Sequence, residues 1–329
     1  MPTGAGYSLL NVSNCGGVSN MGQKGCTTEP DFLRYVVFVP KGTTIPATNL
    51  LSQSAFTTYV TGKLQSATRS TRWYISPLLG EFKDNTDAIK EKDFDGYKVL
   101  SQMMPYNWEW RLAPGSFCAN KKLKTFHQQH QNYDCFIIDA NGMWIGWEDP
   151  AAVGIMKALT LDSIIIFNWG PKVSGDTNKY GLKLAFADNK QLNEYLNGFT
   201  STTSPALLDG LTDVYLYQGV DTAGSAIANT TSYIYVRGMM ACGGSNMGDY
   251  FGTDLAATSA WTVVNSSGTP VSLTGVTYNS TTGNFRLASS TAFTSAATFY
   301  VTLASVSTLV GLNPAATLVT ETSFSVTIP

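Results

Sequence analysis

Seven short segments rich in β-branched and aromatic residues follow one another after residue 205, each bounded by Gly, Asn, Pro or Ser. Short strands that recur at regular spacing, with turn residues between them, are typical of two-sheet sandwiches. No long helical pattern interrupts the series. The sequence therefore predicts a β-sandwich over 206–329, with strands within 213–219, 232–238, 259–265, 270–279, 284–288, 298–304 and 321–329.

This second region carries almost no charge. After Asp254 its only charged side chains are Arg286 and Glu321. Thr and Ser supply the polar surface instead, and such a composition favours strands and turns over helices. The change of pattern near residue 205 divides the 329-residue chain into two predicted domains, 1–205 and 206–329.

The first domain is predicted to be mainly β with flanking helices, after an extended arm at 1–31. A helix is predicted within 47–68, with Thr48 or Asn49 as its N-cap. The alternation of Tyr106, Trp108 and Trp110 with polar residues is the strongest strand signal. Further strands are predicted at 34–42, 72–82 and 161–172, and a polar helix at 117–132 with Leu123 and Phe126 inward. A hairpin is predicted at 133–149, with a primed turn at Asn141-Gly142. Residues 179–199 are predicted to form a strand, an Asp cap and a helix.

The passage 81–98 concentrates charge in a chain of which only 13% is charged. It does not fit a calcium loop, because Ala88, Ile89 and Lys90 break the ligand spacing and the lysines offset the negative charge. A solvated loop between two strands and a contact with another subunit remain open. We take the charged residues as candidates for an inter-subunit loop, namely Glu81, Lys83, Asp84, Asp87, Lys90, Glu91, Lys92, Asp93 and Asp95.

Motifs of catalysis, cofactor binding and metal binding are lacking, so the chain is predicted not to be an enzyme and to need no cofactor. No GxSxG elbow, P-loop or GxGxxG with its strand and helix context occurs. Cys118 and His127 have no orienting third group, and His127 and His130 are predicted to lie on an exposed polar helix. The five cysteines show no CxxC spacing, and Cys15 and Cys26 are expected to be free thiols rather than a disulfide.

Charge and hydropathy bear on the partners. The net charge of −2 and the small patch of Lys121, Lys122 and Lys124 do not form the footprint of a nucleic-acid-binding protein. No signal peptide is recognised, and no apolar run is long enough for a membrane span. The aromatic cluster is predicted to fill a core or interface, with a glycan site as the alternative; it comprises Trp108, Trp110, Trp144, Trp147 and Trp169.

Several stretches carry a family resemblance. The longest is ACGGSNMGDYFGTDLAATSAWTVVNSSGTPVSLTGVTYNSTTGNFRLA over 241–288, and shorter ones are GEFKDNTD, CANKKLKTF and YDCFIIDANGMWIGW. They resemble structural proteins of tailed phages that infect Bacteroidota. The resemblance implies a virion protein, synthesised in the cytoplasm of the host bacterium, whose region 206–329 is an immunoglobulin-like sandwich.

Among virion proteins the resemblance implies first a major tail tube protein. The resemblance implies stacked, hexameric rings, whose inner sheets close into a barrel around the DNA without binding it specifically. The expected partners are copies of itself and other tail or head proteins, with no membrane, and a host-surface glycan for the second domain. A capsid decoration or head-fibre protein, and a secreted carbohydrate-binding protein, are the alternatives.

Overall fold

The computed structural model describes residues 31–86, 90–94, 97–102, 105–112, 117–152, 154–168, 180–205, 208, 210–241, 244–320 and 322–329. The chain divides into two compact units, Met1–Gly210 and Leu211–Pro329. This division lies close to the boundary predicted between 205 and 206. Strands (41%) far outweigh helices (17%), and the sheets are curled and antiparallel, which confirms the predicted mainly β sandwich or barrel fold.

The first unit contains thirteen strands and three α-helices within its described residues. The strands are β1 (Leu33–Pro40), β2 (Thr44–Ile45), β3 (Tyr74–Ile75), β4 (Leu79–Asp84), β5 (Lys90–Phe94), β6 (Tyr97–Gln102), β7 (Asn107–Leu112), β8 (Tyr133–Asp139), β9 (Met143–Glu148), β10 (Met156–Lys157), β11 (Leu161–Ile166), β12 (Gly181–Phe186) and β13 (Leu196–Thr200). The helices are α1 (Gln53–Leu64), α2 (Phe117–Leu123) and α3 (Asn189–Asn193).

Two of these sheets and helix α1 form three layers. One sheet runs β2-β10-β9-β8-β1-β3, with β13 paired to β9, and the other runs β11-β12-β7-β4. Strands β1 and β8 lie in the middle layer and are buried on both faces, which explains their near-continuous apolar sequences. One face packs on α1 through Phe136 and Trp144, and the other packs on the second sheet through Phe38 and Ile137.

Helix α1 begins later than predicted. Pro46 precedes a 3-10 turn at Ala47–Leu50, so Thr48 and Asn49 lie inside that turn and the predicted N-cap was wrong. The N-cap is Ser52, whose extended backbone lets its hydroxyl accept a hydrogen bond from the Ala55 amide at 3.1 Å. The apolar face buries Phe56, Val60 and Leu64 at four-residue spacing; these three side chains fix the helix to the sheet.

Ser52→Ala is expected to lower the free energy of unfolding of the first unit by about 1 kcal/mol, because it leaves helix amides without their acceptor. Ser54→Ala is the matched control, since Ser54 is exposed two residues further into the same helix. There alanine should be neutral or slightly stabilising. Urea denaturation of both variants measures the difference; equal losses for both would contradict the assignment of Ser52 as the cap.

Two predicted elements of the first unit differ from the structure because of the chain around them. The predicted helix at 179–199 is only α3, capped by Asp188, and Leu196–Thr200 forms a strand instead. Pairing of Phe199 with Trp144 in the β13–β9 ladder outweighs the helical spacing of the apolar residues. The predicted strand at 72–82 is split around Pro77 into β3 and β4, which belong to different sheets.

The hairpin of β8 and β9 is present, but its turn is not of the predicted primed type. A type I′ turn needs positive φ at both central residues. Gly142 has φ +82°, whereas Asn141 is not among the described residues with positive φ. A Cβ on Gly142 would also lie 2.9 Å from the Ser201 carbonyl oxygen. The glycine is therefore needed for both its backbone conformation and the close approach of Ser201.

The second unit is a two-sheet sandwich. Its described strands are β14 (Thr212–Gln218), β15 (Tyr233–Met240), β16 (Trp261–Asn265), β17 (Leu273–Asn279), β18 (Asn284–Ser289), β19 (Thr298–Leu303), β20 (Leu318–Val319) and β21 (Phe324–Thr327), with short helices α4 (Gly248–Phe251) and α5 (Val306–Leu312). The sheets run β17-β18-β15-β14-β20 and β16-β19-β21. All seven predicted strands are confirmed, whereas the two-residue β20 was missed; it pairs with β14 in parallel.

Candidate assembly surface

The charged passage forms strands rather than the predicted loop. Glu81, Lys83 and Asp84 belong to β4, whereas Lys90, Glu91, Lys92 and Asp93 belong to β5. Asp87 and Asp95 lie outside the described residues. Strand β5 pairs with β6 in an antiparallel two-stranded sheet, so backbone pairing outweighs the low strand propensity of its charged residues. The passage thus contributes a strand at a sheet edge and a separate two-stranded hairpin, and we call β4, β5 and β6 together the charged strands.

Strand β4 lies at one edge of its sheet. Within the described residues it pairs with β7 alone, in the order Phe82 to Trp110, Lys83 to Glu109 and Asp84 to Trp108. The register shifts between Gly80 and Phe82, and Glu81, inside this bulge, has φ +22°. Such a bulge increases twist and redirects the side chains at an edge.

The bulge places Glu81 beside Arg111 of β7. The Glu81 Oε2 atom lies 3.6 Å from the Arg111 Nε atom, and both side chains are substantially exposed. An exposed pair at this distance contributes at most about 1 kcal/mol. This ion pair mainly orients the Glu81 side chain. It contributes little to the stability of the sheet.

Hydrogen bonds hold the end of β4 against β7. The Asp84 carboxylate accepts from the Thr86 amide at 2.8 Å, and the Asn85 side-chain amide donates to the Glu109 carboxylate at 2.8 Å. The Thr86 hydroxyl oxygen accepts from the Asn107 amide at 3.0 Å. The chain therefore leaves β4 in a fixed direction before the hairpin begins.

The backbone of β4 offers hydrogen-bonding groups to a further strand. The Asn85 amide donates to the Asn107 carbonyl at 2.8 Å, so it points toward β7. Amide directions alternate along a strand, and the amide of Asp84 therefore points away from β7. Unpaired edge groups of this kind are templates for another strand. Charged side chains at such an edge limit which strands can pair with it.

The two faces of this edge differ. Phe82 is 41% exposed, and its ring packs 5.7 Å from Trp108 and 5.4 Å from Trp110 on the side that faces the core. On the other side, the sheet register places Lys83, Glu109 and Lys183 in one row across β4, β7 and β12. Neighbouring charges of opposite sign in that row make the face polar without a strong field.

The opposite edge of the same sheet is covered. The Ile166 amide of β11 donates to the His127 Nδ1 atom at 3.0 Å, and the Ile164 carbonyl accepts from the Gln128 amide at 2.8 Å. Gln128 adopts a left-handed conformation, φ +59°, to make this contact. Side-chain and loop groups thus satisfy part of the β11 edge, which is a common protection against strand addition.

This arrangement also corrects the prediction for the histidines. The helix ends at Leu123 and is followed by a 3-10 turn at Lys124–Phe126, so His127 and His130 do not share the face of one helix. His127 accepts a backbone hydrogen bond with its Nδ1 atom, which gives it a structural role. Leu123 and Phe126 are buried as predicted.

The other candidate residues divide between core and surface. Trp110 and Trp144 are buried in the first unit, as predicted, Trp108 and Trp147 are half-buried, and Trp169 lies outside the described residues. Burial raises the pKa of the Cys135 thiol well above its ordinary value, so this cysteine is not a reactive nucleophile. Cys15 and Cys26 also lie outside the described residues.

The described residues contain no group of three or more His, Cys, Asp or Glu residues placed to hold a metal ion. None of their helices has both the length and the apolar character needed to cross a membrane. Of the three lysines noted in the sequence, Lys122 lies 6.0 Å from the centre of the Tyr74 ring and Lys124 donates to the Asn168 side chain.

No family model and no curated protein matches this chain.

Proposed function

We propose that the chain is a structural virion protein, the major tail tube protein of a tailed phage, which assembles with copies of itself into stacked rings. The observation that supports this most is the position of the charged strands: β4 is an open sheet edge, and β5 and β6 pair with one another alone among the described residues. Open edges are normally avoided in a monomer, and assembly is one way to satisfy them. The sequence resemblance to phage structural proteins points to the same class.

The charges of these strands favour a second copy as the partner. The described part of β4 and β5 carries Glu81, Asp84, Glu91 and Asp93 against Lys83, Lys90 and Lys92, so both signs occur side by side. A contact between identical copies can therefore bring charges of opposite sign together. Charge complementarity contributes more to register and choice of partner than to affinity. We propose that β4 meets the neighbouring copy in a ring and that the β5–β6 hairpin meets the next ring.

The covered edge of β11 restricts how a ring could close. A direct ladder between β4 of one copy and β11 of the next would need the Ile164 carbonyl and the Ile166 amide, which Gln128 and His127 already occupy. The ring contact of β4 is therefore proposed to lie outside that part of β11. The polar row of Lys83, Glu109 and Lys183 would face the lumen, where a weak field lets DNA pass without being held.

The test is to image the purified full-length protein by negative-stain electron microscopy over a range of concentrations. Rings or tubes, with six-fold symmetry in end views, are the expected result. Monomers at every concentration, also in the presence of a tail-assembly initiator from the same phage, would contradict the proposal. Decoration of capsids without ring formation would favour the head-decoration alternative instead.

Reversing two lysines of β5, in the double variant Lys90→Glu and Lys92→Glu, is expected to shorten or abolish tubes while rings persist. The reversal places like charges at the proposed contact between rings, and juxtaposed like charges oppose association. The tube length distribution in micrographs and the sedimentation profile measure the effect. The effect should weaken at high salt, because salt screens exposed charges.

The matched control is the double variant Lys121→Glu and Lys190→Glu, which changes the net charge equally at two exposed positions outside the charged strands. It should form tubes like the wild type. If the β5 variant also formed normal tubes with an unchanged thermal transition, the hairpin would be a solvated surface element.

A further inference from the structure

A groove of about 700 Å³ lies on the second unit, on the outer face of its five-stranded sheet. Strand alternation creates this face. Ile234 and Val236 of β15 point into the core with Phe285 of β18, so Tyr235 and Arg286 point outward. The register places Tyr235 opposite Arg286, and Arg286 opposite Thr277 of β17, which makes one row across the floor of the groove.

One wall of the groove is the loop after β14. The buried Asn284 side chain accepts from the Val220 amide at 3.2 Å and donates to the Val220 carbonyl at 2.5 Å, so it holds this loop with both of its amide atoms. Asp221 continues the wall, and its Oδ1 atom accepts from the Ala223 and Ser225 amides. The wall is thus fixed before any ligand arrives.

The opposite wall is the turn between β17 and β18. The Asn279 side chain accepts from the amides of Thr281 and Thr282, at 2.9 and 3.4 Å. Gly283 has φ +68°, and a Cβ there would overlap the side-chain amide of Asn246. These contacts restrict the conformation of this wall, which includes Thr282 of the groove lining.

Polar groups of the groove are fixed in position but still have hydrogen-bonding capacity for a ligand. The Arg286 Nε atom donates to the Thr277 hydroxyl at 3.2 Å, and the guanidinium lies 4.6 Å from the Tyr233 ring centre. Within the described residues its two terminal nitrogens have no acceptor, and the Thr282 hydroxyl is buried without a partner. A held guanidinium with two aligned donors fits two adjacent oxygen atoms. Buried polar atoms without partners mark places where a ligand can contribute a hydrogen bond.

We propose that this groove binds a pyranose residue of a polysaccharide. Vicinal hydroxyls both donate and accept hydrogen bonds, and the groove has donors on Arg286, acceptors on Asp221 and hydroxyls on Thr282 and Ser280. The ring of Tyr235, which points outward from the sheet, provides the flat apolar surface that the C–H face of a sugar packs on.

Other ligand classes fit the lining less well. A nucleic acid strand would need several cations along its backbone, whereas Arg286 is the one cationic side chain of the lining and Asp221 offsets it. An apolar peptide would need aliphatic pockets, and Ile227 is the one aliphatic side chain of the lining.

The same face offers room for a longer polysaccharide. Tyr215 and Tyr217 of β14 point outward and are 44% and 52% exposed. Tyr217 lies opposite Arg237 of β15, whose Nε atom is buried without a partner among the described residues. These exposed aromatic side chains of β14, bordered by an arginine, suit further sugar rings on the β14 side of the groove.

The test measures binding of the full-length protein to soluble mannan, dextran, alginate and hyaluronan, and to lipopolysaccharide from Bacteroidota, by affinity electrophoresis and calorimetry. Binding to at least one of them is expected. Arg286→Ala and Thr282→Val should weaken that binding at least tenfold and several-fold, respectively. Tyr300→Ala is the control, because Tyr300 is an exposed tyrosine on β19 of the other sheet, and it should change the affinity less than twofold.

Unchanged thermal transitions of the variants establish that they are folded; a variant that unfolds is replaced by Arg286→Lys, which keeps the charge but loses the paired donors. Absence of binding to every polysaccharide, or equal binding by wild type and the folded groove variants, would overturn the proposal. Binding of single-stranded DNA that depends on Arg286, without sugar binding, would overturn it in favour of a nucleic acid. The result does not depend on ring formation, since binding can be measured on monomers as well as on tubes.

Discussion

Trp144→Ala is expected to lower the free energy of unfolding of the first unit by about 3–5 kcal/mol, the usual cost of removing a buried tryptophan from a core. Trp144 is 0% exposed, and its ring lies 5.4 Å from Phe56 of α1, 6.4 Å from Trp73 and 6.1 Å from Phe136. It therefore joins the helix to the middle sheet, and alanine would leave a cavity that touches both layers. A loss of this size is a large part of the stability of a domain.

Differential scanning calorimetry of the full chain measures this result. The two units have separate cores, so the transition of the first unit should move to lower temperature while that of the second stays in place. Trp144→Phe is the matched control. The Trp144 indole N–H has no hydrogen-bond partner in the described structure, so phenylalanine removes part of the packing and no hydrogen bond. Its loss should be roughly half of the alanine loss or less.

Two outcomes would contradict this account of the core. A loss of unfolding free energy below about 1 kcal/mol for Trp144→Ala would mean that the packing of helix α1 does not depend on this contact. An equal shift of both transitions would mean that the units do not unfold separately, against the division at Gly210.

Strand positions were predictable where a single local pattern determines them. In the second unit each predicted strand has its own turn residues and alternation, and all seven are present. In the first unit the apolar sequences of β1 and β8 predicted strands, and these strands lie in the middle layer. Sequence could not show that Leu196–Thr200 would be a strand, because the reason is its distant partner β9. Two-residue strands such as β20 carry too few residues for any period.

The candidate assembly surface was predictable only as a set of residues. Charge density selected 81–98, but charged residues have low strand propensity, so the pairing of β5 with β6 was not foreseen. The direction of the Asp84 amide depends on the register with β7, and the cover over β11 depends on a contact between His127 and Ile166. Neither the register nor that contact leaves a signal in the local sequence. The role of these residues in assembly remains a prediction.

Asp84→Pro is expected to prevent ring formation while the protein stays folded. Proline has no amide donor, and the Asp84 amide points away from β7, so the substitution removes a donor from the open edge and none from the β4–β7 ladder. An edge strand tolerates proline at such a position. If β4 pairs with a neighbouring copy, the missing donor and the bulk of the pyrrolidine side chain should abolish assembly. Electron micrographs of the variant measure this.

Two further variants test whether a loss of ring formation in Asp84→Pro comes from the missing edge amide or from another effect of the substitution. Asp84→Ala removes the carboxylate and its hydrogen bond to Thr86 but keeps the amide, so rings should persist. Lys83→Pro places the proline where the amide points toward β7, so it should lower the thermal transition of the first unit, which Asp84→Pro should leave nearly unchanged. Adjacent amides of a strand point in opposite directions. The two proline variants therefore remove a donor from opposite sides of β4. Rings formed by a folded Asp84→Pro protein would exclude β4 as the ring contact and leave the β5–β6 hairpin as the remaining open edge of the charged strands.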